Sequence, residues 1–190
     1  AILIPTINRS EFLIRQLHYY AKVKSQHPIY IGDASAKSIK SELEKIISDS
    51  SLTVRYFHWP KLNDRQTIAA LAKQAYDDDS QFVAFHGDDD YFVPDALTEC
   101  AEFLAKNDEY ATAQGKAALV TLDQPGPYGQ IQSIGTYWES KELLCSTPLE
   151  RMKEILNDYW VPQFSVHRTI EFLRTCEVYS RIPDRNWGEI

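Results

Sequence analysis

Cysteine is scarce in this 190-residue chain, and its three copies, Cys100, Cys145 and Cys176, stand far apart. An odd number at such spacing makes neither a zinc-binding pattern nor a disulfide framework; buried, reduced thiols are expected instead. Basic charge is also in short supply, with 20 Lys and Arg against 27 Asp and Glu and a formal net charge of −7. That balance argues against a general nucleic-acid binder or a binder of anionic membranes, both of which use basic surfaces. It leaves room for an anionic nucleotide held through a bound metal, which inverts the local field. No apolar run approaches transmembrane length and no signal peptide precedes the first apolar segment, so a cytoplasmic protein is expected. Glycine-rich phosphate loops of the Walker or dinucleotide type are missing, as are internal repeats and low-complexity segments. No Ser-His-Asp or Cys-His constellation can be assembled.

What is present is a regular alternation of short apolar runs and amphipathic stretches. The length fits a single domain, residues 1–190, able to bury a sizeable core. Ala1 to Ile4 reads as a buried strand, followed by Pro5-Thr6 and by Ser10 as the cap of a helix with Leu13, Ile14, Leu17, Tyr20 and Ala21 on one face. Ile29 to Ile31 forms a second strand ending at Gly32-Asp33-Ala34-Ser35, then Ile39, Leu43, Ile46 and Ile47 mark a helix. Leu52 to Phe57 is a third strand; Asn63 or Asp64 caps a helix running to about Tyr76. Phe82 to Phe85 is a fourth strand, with a helix from Pro94 carrying Ala96, Leu97, Cys100, Ala101 and Leu104. Four such units in succession predict an α/β fold with a largely parallel sheet covered on both faces.

After residue 106 the rhythm changes. Tyr110–Ala113 and Ala117–Leu122 read as strands, 123–129 as an exposed loop, Thr147 as a helix cap, and Thr169–Cys176 as a last helix. The pattern divides the chain into a nucleotide-binding half, 1–106, and a specificity half, 107–190. Because it opens on Ala1-Ile2-Leu3-Ile4 without methionine, the chain reads as a domain trimmed from something longer; its end at Glu189-Ile190 reads as a C-terminal truncation.

The stretch Phe82-Val83-Ala84-Phe85-His86-Gly87-Asp88-Asp89-Asp90 carries the chemistry. A buried strand here delivers three like charges to the C-terminal edge of an α/β sheet, the edge where such sheets bind ligands. Carboxylates that close raise one another's pKa unless a cation sits among them, and magnesium or manganese takes oxygen ligands of this kind together with substrate phosphates. A solvated acidic turn is the plainer alternative. Such a turn is expected for the second triplet, Asp77-Asp78-Asp79, which falls at the opposite edge of the sheet. His86 is read as a core histidine before a metal ligand, and Asp33 as either a nucleobase contact or the cap of the following helix.

Together, Ile4-Pro5-Thr6 with Asn8-Arg9, Asp33 after the second strand, and Asp88-Asp89-Asp90 with Pro94-Asp95-Ala96-Leu97 resemble the start of a family 2 glycosyltransferase. Gly87 departs from that pattern, since many members have an Asp there. The resemblance implies a GT-A fold, a Rossmann-like, mixed but mostly parallel sheet flanked by helices. It implies inverting transfer of a sugar from a nucleotide-diphosphate donor to a hydroxyl of a glycan, lipid or protein acceptor, with a divalent cation, manganese or magnesium. Carried over, Asp33 contacts the base, Asp88 lies near the ribose, Asp89 is the main metal ligand and Asp90 assists it. Thr6 and Arg9 line the nucleotide pocket; Arg65 is a candidate for the donor phosphate, or else a surface residue near a helix start. The catalytic base falls to Glu189 in Trp187-Gly188-Glu189-Ile190, with Asp184 as second choice. His167 and Arg168 lie near donor or acceptor or else in a packed loop, and Trp138, Trp160 and Trp187 either stack on a sugar or belong to the core. Two rivals stand beside this reading. A nucleotidyltransferase would show a Gly-rich basic loop after the first strand, whereas Pro5 to Ser10 has no glycine and one arginine. A catalytically degenerate binding or scaffolding module would keep nucleotide binding without turnover.

Overall fold

The computed structural model describes residues 1–138, 141–158 and 162–182. Four strand-then-helix units open the chain, as the periodicity predicts. They are β1 (Ile2–Thr6) with α1 (Ser10–Lys22), β2 (Ile29–Asp33) with α2 (Lys40–Ser48), β3 (Val54–His58) with α3 (Asp64–Asp77), and β4 (Phe82–Phe85) with α4 (Pro94–Lys106). Local chemistry sets several of the helix starts. Asn63 and Gln66 form a reciprocal capping box at α3, and Pro94 occupies the first turn of α4, where its missing N–H costs nothing. Ser10 differs from expectation: it is the first helical residue of α1, and Arg9 takes the cap position without a side-chain hydrogen bond.

The second half contributes β5 (Thr112–Ala113), the hairpin β6 (Ala117–Leu122) and β7 (Ile131–Trp138), α5 (Pro148–Asn157), β8 (Val166–Arg168) and α6 (Thr169–Tyr179). The main sheet has the order β3-β2-β1-β4-β8-β5. Its first four strands are parallel, and β8 runs antiparallel between β4 and β5. The sheet therefore draws on both halves of the sequence. The hairpin makes a separate two-stranded sheet.

Strand pleating explains why Ile2 to Ile4 of β1 are apolar without a break. Ile2 and Ile4 point to one face, where they pack with Leu13, Leu17 and Tyr20 of α1, Leu43 of α2 and Leu97 and Leu104 of α4. Leu3 points to the other, among Ile68, Leu71 and Ala75 of α3 and Phe172 and Leu173 of α6. Both faces are covered, so alternation disappears and a continuous apolar run remains. Gly32 on β2 marks a close approach: an added Cβ would lie 2.5 Å from Thr67 Cγ2 on α3.

The chain steps outward from β1 to β2 to β3, then returns to the other side of β1 for β4. The reversal leaves a crevice at the C-terminal ends of β1 and β4, the usual ligand position in open sheets of this type. Thr6 ends one strand and the Gly87–Asp90 turn follows the other.

Candidate functional site

The crevice is built from a hydroxyl, an arginine and the three aspartates. Thr6 Oγ1 donates to Asp88 Oδ2 at 2.7 Å, tying the end of β1 to the loop after β4. Arg9 reaches the other side of the same carboxylate, Nη1 to Asp88 Oδ1 at 2.8 Å, and places Nη2 3.0 Å from Asp89 Oδ2. Asn8 makes this turn possible. It holds φ 54°, a left-handed conformation Asn tolerates better than most residues, with its N–H donating to Ser35 Oγ at 2.7 Å. Asp88 is 4% exposed, whereas Asp89 and Arg9 are 51% and 39% exposed. Burial raises the Asp88 pKa against the opposing effects of Thr6 and Arg9. Asp90 is raised as well, by burial first and then by the neighbouring Asp89 and Asp88 charges.

Gly87 lies close to the carboxylates of the loop. An added Cβ there would lie 2.9 Å from Asp89 Oδ1 and 3.7 Å from Asp90 Oδ2. Two carboxylate oxygens thus share the space that a side chain at position 87 would fill. Hard oxygen donors and mutual repulsion fit a divalent cation. Among the described residues, no three Asp, Glu, His or Cys side chains converge into a ready-made cluster, so further ligand oxygens would come from substrate and water.

A buried network from α1 holds this loop. Gln16 Nε2 donates to the Gly87 and Asp90 carbonyls at 2.8 and 2.6 Å. His86 Nδ1 lies 2.6 Å from the Gly87 carbonyl, and Tyr20 Oη lies 2.8 Å from His86 Nε2 while accepting from the Phe92 N–H at 3.1 Å. One proton arrangement satisfies these contacts. His86 is neutral and protonated at Nδ1, and Tyr20 donates to its Nε2. Burial pushes the His86 pKa down to about 4, which agrees. His86 is therefore a core histidine, as expected. Sequence reading missed Gln16, although the signal was there: it is a polar residue inside the Leu13, Leu17, Tyr20 stripe of α1.

The other candidates are placed as follows. The Asp33 carboxylate is fully buried and accepts hydrogen bonds from the Ser35 N–H at 2.8 Å, the Ile39 N–H at 3.2 Å and the Tyr56 hydroxyl. Burial alone would raise its pKa, but these donors outweigh it and leave the group below its ordinary value. Asp33 does not cap α2, whose cap position is Ile39 without a side-chain hydrogen bond; it anchors the segment that leads into that helix. Arg65 is buried, not on the surface, and donates to the Ile182 carbonyl at 2.6 Å, beyond the end of α6. His167 and Arg168 lie on β8. Arg168 pairs with Phe82 at the start of β4 and donates to the Leu104, Asn107 and Tyr110 carbonyls, so it stands at the edge remote from Asp88. Glu189, Asp184, Trp160 and Trp187 lie outside the described residues, as does the side chain of Trp138.

Asp77–Asp79 does fall at the opposite edge, beside a cleft of about 700 Å³ lined in part by Asp77, Asp79 and Arg168. Asp78 is not merely solvated: it accepts from Tyr30 Oη at 2.8 Å and from Arg55. The 123–129 loop is also less free than expected. Pro127 is buried, and its carbonyl accepts from Arg15 of α1, whose guanidinium lies over the Tyr91 ring at 5.2 Å. The hairpin tip is thereby fastened beside the acidic loop.

No protein-family model matches the sequence, and no curated protein does. Solved structures do. TarS of S. aureus matches with a TM-score of 0.52 at 19% identity, covering 92% of this chain and 29% of that chain. TarS 1-349 in complex with UDP-GlcNAc matches with a TM-score of 0.52 at 20% identity over 88% of this chain and 44% of that one. The 4-diphosphocytidyl-2C-methyl-D-erythritol synthase of Anaerococcus prevotii DSM 20548 matches with a TM-score of 0.50 at 13% identity over 98% of this chain and 80% of that one. The chain thus spans less than half the length of these TarS chains. Identities this low establish the fold: a mixed α/β, Rossmann-like GT-A architecture with a mostly parallel six-strand sheet flanked by helices.

Proposed function

We propose that this chain is the donor-binding domain of a nucleotide-sugar glycosyltransferase. The observation that carries the reading is the acidic loop at the β1/β4 crevice, with Asp88 fixed by Thr6 and the Asp89 and Asp90 oxygens sharing the space over Gly87. The likeness to a TarS structure holding UDP-GlcNAc supports it. In this reading Asp89 and Asp90 hold a manganese or magnesium ion, which when bound supplies positive charge to a leaving nucleoside diphosphate. Asp88 stays hydrogen-bonded beside the ribose, and Arg9 and Thr6 line the diphosphate side. Glu189, or failing it Asp184, takes the proton of the acceptor hydroxyl in an inverting displacement. The acceptor is a glycan, lipid or protein, and the three free thiols fit a reducing, cytoplasmic compartment. Among the described residues, no helix is long and apolar enough to cross a membrane.

A nucleotidyltransferase is the second reading, favoured by the likeness to the synthase over nearly the whole chain. Calorimetric titration separates the two. UDP and GDP are titrated with manganese, then with chelator, and CTP is titrated in parallel. Binding of UDP or GDP that disappears with chelator and in Asp89→Asn, but persists in Asp78→Asn, is the expected result. A preference for CTP favours the second reading. No nucleotide binding, or equal effects of the two substitutions, overturns the placement of the site.

A further inference from the structure

We propose that Arg9 is a resident counter-ion of the acidic loop and exchanges between the carboxylates and the donor diphosphate, so that metal and nucleotide bind cooperatively. The inference rests on reading that loop as the metal and diphosphate site.

Asp89 faces two ways. Its Oδ2 is engaged by Arg9 Nη2 at 3.0 Å, while Oδ1 lies with Asp90 Oδ2 over Gly87. A divalent ion entering over Gly87 shares a carboxylate with a guanidinium already in place, and the two cations repel across that one group. Arg9 is 39% exposed and within reach of solvent, and the Phe12 ring beneath its guanidinium at 4.0 Å is a contact it need not give up when its carboxylate partners change. Asp88 need not follow, because Thr6 holds its other oxygen at 2.7 Å. The destination is supplied by the ligand. A diphosphate in the crevice presents anionic oxygens that a guanidinium engages bidentately, as it now spans two carboxylates. Metal alone must compete with Arg9, whereas metal arriving with a diphosphate does not. Each ligand therefore tightens the other, and linkage makes the effect reciprocal.

Manganese binding, followed by electron paramagnetic resonance of the free ion with and without UDP, tests the exchange in the whole chain. In the wild type, UDP should tighten manganese binding. In Arg9→Gln, manganese alone should bind roughly tenfold more tightly than in the wild type, and the further tightening by UDP should shrink, a coupling of ordinary size. Arg9→Lys, which keeps the charge, should remain close to the wild type for manganese alone. A melting comparison adds a reading independent of turnover: Arg9→Gln should melt lower than the wild type in chelator and regain the difference with manganese. If Asp89→Asn loses manganese while Arg9→Gln binds it no more tightly than the wild type, the exchange is wrong and the metal site stands. If Asp89→Asn binds manganese as the wild type does, or the wild type binds none, the site reading fails and the exchange fails with it.

Discussion

Acid should unlock the candidate site through His86. The unfolded chain's imidazole titrates near 6.5, and burial lowers the folded value to about 4. Between those limits the unfolded chain takes up a proton that the folded chain refuses. Stability from this group is therefore complete above pH 6.5 and is lost as pH falls toward 4. At about 1.4 kcal/mol per pH unit, the loss amounts to about 2 kcal/mol by pH 5 and about 3 kcal/mol by pH 4. The structure shows why the proton is refused. A proton on Nε2 removes the acceptor of the Tyr20 hydroxyl, which already accepts from the Phe92 N–H. Asp88 and Asp90 act in the opposite sense, because their raised pKa values make their protonation favourable to the folded state. Their protonation as the pH drops therefore offsets part of the fall. His167, also lowered to about 4 by burial, adds to the fall, so a site-specific reading is required. Urea unfolding at pH 7, 6 and 5 gives the total. The His86 ring-proton NMR signal, assigned by comparison with His86→Gln, gives the single group. A folded-state titration of that signal near 6.5 would refute the reasoning.

Gly87→Ala should leave the fold within about 1 kcal/mol of the wild type, because the colliding atom is the end of a half-exposed Asp89 side chain that can turn away. The same rotation should weaken manganese-dependent UDP binding by about tenfold or more, read by calorimetry beside a melting curve. Asn63→Ala breaks the capping box of α3 and should cost about 1 kcal/mol in urea unfolding while leaving nucleotide affinity unchanged.

The legible parts of this protein are those written in short-range patterns. Ala1 to Ile4, Ile29 to Ile31 and Phe82 to Phe85 announce buried parallel strands by continuous apolarity, and Asn63, Pro94 and Thr147 announce helix starts. The acidic loop was legible for the same reason: charge follows directly on a buried run. What was hidden depends on distant partners. Arg9 meets Asp88 and Asp89 some eighty positions away, and nothing near Arg9 in sequence signals them. Asp33 accepts from Tyr56 on a neighbouring strand, a contact that nothing near Asp33 in sequence signals. Val166 to Arg168 is three residues long, too short for any periodicity, and owes its strand conformation to β4 and β5 on either side.

That short strand has a consequence for how the chain acquires its shape during synthesis. When the ribosome has released residues up to 106, β4 is flanked by β1 alone, and its other edge presents unpaired N–H and C=O groups. Such an edge is a template for pairing with another chain. Val166 to Arg168 closes it only after a further sixty residues have been made. The strand that launches the acidic loop is thus completed late, by a segment remote in sequence. The nascent chain has most reason to seek a chaperone in the interval between the two.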